Sequence, residues 1–160
     1  MTADFEWWEF NGAADTGEAA NCNFGNSNGR DLTPADNPIT AGSASYEKYV
    51  YGSFSGTFTK IYHLKFWESS GGNIGAGEAV EWACVTATAA PVNTISVVAV
   101  ASVAESEPGY YNVSFSGATT TGSVTSADTT DYIVLQHQIV ADHAAGATSQ
   151  LTFTLQYDEL

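Results

Sequence analysis

Two stretches close to the C-terminus decide the fold: Ile133-Val134-Leu135-Gln136-His137-Gln138-Ile139-Val140 and Gln150-Leu151-Thr152-Phe153-Thr154-Leu155-Gln156-Tyr157. In each stretch an apolar series occupies every second position, which is the pattern of a strand with one face in a core. We therefore predict a strand in both. The residues between them include Asp142, His143 and Gly146, so the two strands can be sheet neighbours joined by a loop.

Further apolar runs upstream predict additional short strands. These runs are Phe5–Phe10, Tyr49–Phe58, Lys60–Trp67, Val80–Thr88, Ile95–Val103 and Tyr110–Phe115. The second and third can also form one long strand bent near Gly56. The run Ile95–Val103 is almost continuously apolar, which predicts a strand buried on both faces or covered by a neighbour.

About eight short strands and no amphipathic helix predict an all-β fold, a β-sandwich or jelly-roll-like domain. A length of 160 residues fits a single domain, residues 1–160. Residues 11–45 differ from the rest because they are rich in Asn, Gly, Ala and Asp and show no period. We predict that they form a long irregular loop or arm, which packs on the sandwich or reaches onto a partner.

The charge distribution limits the possible partners. The formal net charge is −14, and no lysine or arginine follows Lys65, although ten acidic residues do. Such a surface repels nucleic acid and acidic membranes, so we expect neither as a partner. Neutral sugars, divalent cations and basic proteins stay open as ligands.

The two cysteines, Cys22 and Cys84, are too few for a disulfide scaffold. We expect two buried free thiols, although a single bridge between them stays open. The N-terminus lacks a basic segment followed by an apolar one, and no run of 18 apolar residues exists, so we expect neither a signal peptide nor a membrane-spanning helix.

Three patterns point weakly to chemistry. Gly25-Asn26-Ser27-Asn28-Gly29 matches the Gly-x-Ser-x-Gly nucleophile elbow, but that motif requires a strand before it and a helix after it. The many Asn and Asp oxygens of residues 15–36 suit calcium, but they also satisfy tight turns. The three histidines, His63, His137 and His143, share no ligand spacing. We therefore predict no catalytic residues, no metal and no cofactor.

Aromatic residues give the clearest candidates for intermolecular contact. Neighbours on a strand point to opposite faces, so Trp7 and Trp8 cannot share one core, and one of them should meet a partner or the arm. Arg30 is the only arginine, and we expect it to pair with Asp31 or another carboxylate within or between subunits. The candidate interface residues are Trp7, Trp8, Phe24, Arg30, Tyr110 and Tyr111.

Four stretches carry a family resemblance: Trp7-Trp8-Glu9-Phe10-Asn11-Gly12-Ala13-Ala14-Asp15-Thr16-Gly17, Gly29-Arg30-Asp31-Leu32-Thr33-Pro34, Tyr132-Ile133-Val134-Leu135-Gln136 and Thr152-Phe153-Thr154-Leu155-Gln156-Tyr157-Asp158-Glu159. Through them the chain resembles small virion structural proteins of tailed bacteriophages. The resemblance implies a β-sandwich subunit present in many copies on the particle, and it transfers no functional residues.

We therefore expect a non-enzymatic virion protein, most simply a capsid decoration (cement) protein located on the capsid surface. Its partners would be the major capsid protein or other virion proteins, and it would form a homo-oligomer, plausibly a trimer. One alternative is a neck or tail accessory protein. Another is a carbohydrate-binding or receptor-binding module that stacks sugars on a Trp or Tyr pair.

Overall fold

The computed structural model describes residues 2–12, 15–70, 77–116, 122–142 and 150–160, and it contains nine strands and no helix within them. The strands are β1 (Ala3–Phe10), β2 (Thr16–Glu18), β3 (Lys48–Gly56), β4 (Ile61–Ser70), β5 (Glu78–Val85), β6 (Ala101–Ser102), β7 (Asp128–Thr129), β8 (Tyr132–Ile139) and β9 (Thr152–Glu159). The prediction of an all-β, sandwich-like fold is confirmed. The jelly-roll connectivity is not.

The strands form two antiparallel sheets. The large sheet has the order β2-β1-β3-β8-β5-β6, and β7 pairs with β3 beside the end of β8. The small sheet consists of β4 and β9 alone. The short separation of the two C-terminal strands had allowed them to be sheet neighbours, but they are not. Strand β8 pairs with β3 and β5, while β9 pairs with β4.

The main core lies between the two sheets. The inner face of the large sheet presents Val50, Phe54, Ile133 and Leu135, all of which are buried. Gly52 lies among them because a side chain there would collide with the ring of Phe5 at 2.6 Å. Phe5 of β1 and Leu155 of β9 thus need a small residue at the centre of β3.

The strands β3 and β4 belong to different sheets, which excludes one continuous bent strand. Gly56 ends β3 with a φ of +82°, a backbone conformation that glycine adopts without strain. In β4 a bulge at His63, whose φ is +61°, shifts the alternation by one residue. As a result, Ile61 and Leu64 both point into the core, and both are buried.

Two predicted strands are largely irregular. Within Ile95–Val103 only β6 is a strand, and Tyr110–Phe115 contributes a single bridge between Phe115 and Thr130. An apolar run is expected both for a buried strand and for an irregular segment that packs over a sheet, so the sequence did not separate these two possibilities. Residues 101–116 instead run from β5 to the edge of β4, where Asn112 bonds both backbone groups of Phe66 at 2.7 and 2.8 Å.

Candidate functional site: an anchored apolar ridge

Residues 86–100 lie on the outer face of the large sheet, where they cover a second, smaller core. That core consists of Tyr49 from β3, Val134 from β8 and Ala99, with Val98 packed beside them. The strand β8 is consequently buried on both faces, whereas its sequence pattern had indicated a single buried face. The alternation had assigned Val134 and Gln136 to the solvent face of β8, and both side chains are in fact buried.

A buried polar network fixes this covering segment to the sheet. The side-chain amide of Gln136 donates to the carbonyl oxygens of Ser45 at 3.0 Å and Thr94 at 2.8 Å, and its Oε1 accepts from the Ser96 amide at 2.8 Å. The carboxylate of Glu47 accepts a short hydrogen bond of 2.5 Å from the Ser96 hydroxyl. The side chains of Glu47, Ser96 and Gln136 are buried, and unpaired polar groups are costly in such a place, whereas Thr94 lies at the exposed margin of the network. The segment is therefore held in one conformation.

Four aliphatic side chains of the same segment face solvent. Val92, Ile95, Val97 and Val100 expose 40, 71, 90 and 68% of their surface, and they account for half of the exposed large hydrophobic residues in the described ranges. We call these four residues the apolar ridge. No charged residue occurs between Glu81 and Glu105, so the ridge is a neutral strip in a chain of net charge −14. An exposed apolar strip on a fixed backbone is typical of a contact surface.

A second, polar cluster lies on the outer face of the small sheet. The rings of His63 and Tyr111 stack in parallel with centroids 4.1 Å apart, and His63 Nδ1 lies 2.8 Å from a carboxylate oxygen of Asp158. Together with Lys65 and Gln156 they line a cavity of about 90 Å³. This volume is well below that of a typical small-molecule pocket. The cluster suits a surface contact with one polar ring better than enclosure of a substrate.

A buried ion pair anchors the arm to the inner face of the large sheet. Lys48 Nζ lies 2.7 Å from Glu9 Oε1 and donates to the Gly29 carbonyl oxygen in the arm, and Asn11 also donates to Glu9 at 2.7 Å. Burial raises the pKa of the Glu9 carboxyl although Lys48 lies beside it. It also raises the pKa of the nearby Cys22 thiol to about 12. The ion pair of Glu9 and Lys48 is fully buried and holds the arm on the sandwich, while Cys22 is half-buried beside it.

The predicted interface residues are divided between the interior and the surface. Trp7 packs inward against Phe66, whereas Trp8 lies on the outer face beside Tyr51, as the opposite directions of neighbouring residues require. Phe24 packs between His137 and Phe153, so the arm turns back onto its own sandwich.

The remaining predicted residues lie closer to solvent. Arg30 pairs with Asp15 at 3.4 Å rather than with Asp31. Asp31 instead accepts from the amides of Ala20 and Asn21. Tyr110 and Tyr111 are exposed, at 67 and 50%. Sequence reasoning had not selected the apolar ridge, because its apolar run resembles a buried strand.

The weak chemical motifs find no supporting geometry in the described part of the chain. Gly25–Gly29 lies in an irregular loop, with neither a strand directly before it nor a helix after it. No three His, Cys, Asp or Glu residues among those described gather as metal ligands. His137 Nε2 lies 3.0 Å from Glu78, and His143 falls outside the described residues. Cys22 and Cys84 are both free thiols.

Comparison with known proteins gives no relative: no family model, no curated protein and no solved structure matches the chain. Within the described ranges, no helix has the length and apolarity needed to cross a membrane.

Proposed function

We propose that the chain is a non-enzymatic structural protein of a tailed-phage virion, which decorates the capsid by placing its apolar ridge against neighbouring subunits. The observation that carries this proposal is the ridge itself, an uncharged strip of four exposed aliphatic side chains on a backbone fixed by buried hydrogen bonds. The phage context comes from the sequence resemblance.

The ridge supplies enough apolar surface for a specific contact. Full burial of an exposed Val or Ile side chain contributes about 1.5–3 kcal/mol, and because the four residues are only partly exposed, covering them contributes roughly 4–8 kcal/mol before the cost of association is subtracted. Because the Gln136 and Glu47 contacts already order the segment, little conformational entropy remains to be lost on binding. A subunit present in many copies on a particle needs only moderate affinity at each contact, since several contacts act together.

The charge of the chain supports a protein partner. Two copies of net charge −14 repel one another over most of their surface, and the neutral ridge is a place where that repulsion is smallest. A homo-oligomer such as a trimer and a contact with the major capsid protein are both compatible with this strip. The same charge argues against nucleic acid and acidic membranes as partners.

The test is binding of the purified chain to particles stripped of it. Val97→Asp introduces a charge at the most exposed position of the ridge, and we expect at least a tenfold loss of particle binding with an unchanged melting temperature. Val140→Asp is the matched control, because Val140 is 50% exposed outside the ridge. Equal binding by both variants would overturn the proposal. Binding to isolated tails or necks, but not to capsids, would favour the accessory position instead.

A second candidate function rests on the stacked pair of His63 and Tyr111. The exposed face of Tyr111, beside the polar groups of Gln156 and Asp158, matches the way in which proteins stack and hydrogen-bond a sugar ring. A glycan array separates the two functions. Binding that is abolished by Tyr111→Ala and retained by Val97→Asp would favour a carbohydrate-binding module, and an array without signal would remove it.

A further inference from the structure

The strand β9 has a hydrogen-bonding edge that faces away from β4. The backbone groups of Leu64, Phe66 and Glu68 bond to residues 104–112 on the far side of β4. Because these groups alternate in direction along a strand, the intervening Lys65 and Trp67 are the residues that bond to β9. Their register partners are Gln156 and Thr154.

The same alternation directs the backbone N–H and C=O groups of Phe153, Leu155 and Tyr157 away from β4. Within the described ranges, no hydrogen bond is made by these groups. They form an open edge in the middle of an eight-residue strand that contains no proline and no lysine, the residues that usually block such edges.

Burial is asymmetric across the small sheet. The inward residues of β4, including Leu64 and Phe66, are fully buried, whereas Phe153, Leu155 and Tyr157 are only partly buried. On β1, Phe5, whose ring lies 6.0 Å from that of Tyr157, and its neighbour Trp7 are also only partly buried. The sandwich is therefore incomplete on this side, and one further strand beside β9 would cover these side chains.

The shape of this groove selects its occupant. The side chains of β9 pack on β3, with Leu155 against Gly52 and Tyr157 against Phe54 at 4.9 Å. Beyond β3 the large sheet continues with two more strands, β1 and β2. At the usual strand spacing these two strands extend the sheet by about 10 Å. The arm already covers part of this shelf, since Phe24 contacts Phe153, and the remaining width suits a single extended segment better than the edge of a second folded copy.

Charge adds the chemical preference. Residues 150–157 are uncharged, but Asp158 and Glu159 follow at one end of the edge, and the chain as a whole is strongly acidic. We propose that the open edge of β9 receives an extended arm of a different protein as an added strand, with aliphatic residues facing Phe5 and Trp7 and with lysine or arginine in its other positions. This surface is separate from the apolar ridge.

The experiment is backbone amide exchange of the full-length, ¹⁵N-labelled chain with a synthetic probe, acetyl-Val-Lys-Val-Thr-Val-Lys-Val-Thr-amide. We expect saturating probe to slow exchange at alternate positions of β9, Leu155 and Tyr157, by at least about tenfold. The amides of Thr154 and Gln156 should not change, because β4 already binds them. A probe with Glu in place of Lys should bind at least about tenfold more weakly.

Each remaining outcome is decisive. If the probe leaves the exchange rates of all four amides unchanged, the proposal is overturned. It is also overturned if the Glu probe binds as tightly as the Lys probe. Protection of Leu155 and Tyr157 that rises with protein concentration alone would assign the edge to a second copy and overturn the foreign arm. Val97→Asp should retain the probe response, so failure of the ridge as a particle contact is distinguishable from failure of this edge. The wild-type measurement does not depend on any variant folding.

Discussion

Replacing Gln136 with Met tests whether the polar network holds the ridge in place. The substitution keeps the unbranched shape of a fully buried side chain and removes its amide. It leaves the carbonyl oxygens of Ser45 and Thr94 and the amide of Ser96 without partners, where they now bond at 2.8–3.0 Å. At about 1 kcal/mol of net stabilisation for each bond, the loss is about 3 kcal/mol.

Two measurements check this magnitude. Urea unfolding should show a lower midpoint at an unchanged slope, and exchange of the Ser96 amide should accelerate by about 100-fold, since every 1.4 kcal/mol corresponds to tenfold. Gln138→Met is the matched control, because among the described residues the Gln138 side chain donates only to Gln136, at 3.1 Å, and it should cost about 1 kcal/mol or less. Equal effects of the two variants, or unchanged Ser96 exchange in Gln136→Met, would refute the anchoring role.

Three further predictions concern buried ionisable groups. Lys48→Met should destabilise the fold by about 3–5 kcal/mol in urea unfolding, because it leaves Glu9 buried without its counter-charge. Adding Glu9→Gln to this variant should recover most of the loss. Equal stability of the single and double variants would contradict this. Cys22 is half-buried, and desolvation raises the pKa of its thiol to about 12, so it should react with a thiol reagent more slowly in the native protein than after unfolding; equal labelling rates in the two states would contradict this. Burial raises the pKa of Asp131, so the folded state holds its proton to higher pH than the unfolded state does, and this contribution to stability is lost as pH rises through the folded pKa. Asp131→Asn should therefore gain stability relative to wild type between pH 4 and pH 7. A stability difference between the two proteins that stays constant over this range would contradict the prediction.

The all-β class was predictable because strand patterning is local. The alternation in residues 133–140 and 150–157 required only a period of two, and both stretches form strands. Pairing was not predictable in the same way, since it depends on which edges meet in three dimensions. The ten residues between β8 and the stretch 150–157 permitted a hairpin, yet β8 belongs to the large sheet and β9 to the small one.

The ridge was mistaken for a buried strand for a physical reason. In residues 95–103 only Ser96, Ala99 and Val103 are fully buried, and their spacing of three and four residues departs from the alternation of a strand, although the segment is not a helix either. What fixes the segment is a polar network reaching from distant positions, Glu47 and Gln136, and such a network leaves no periodic signal in sequence. A serine within an apolar, uncharged run was the available hint.

The most direct test of the central claim is a density map of the intact particle in which this chain can be placed. We predict that the chain lies on the capsid surface, with residues 92–100 covered by a neighbouring subunit. A particle that lacks the chain, or one in which Val97 faces open solvent, would contradict the account.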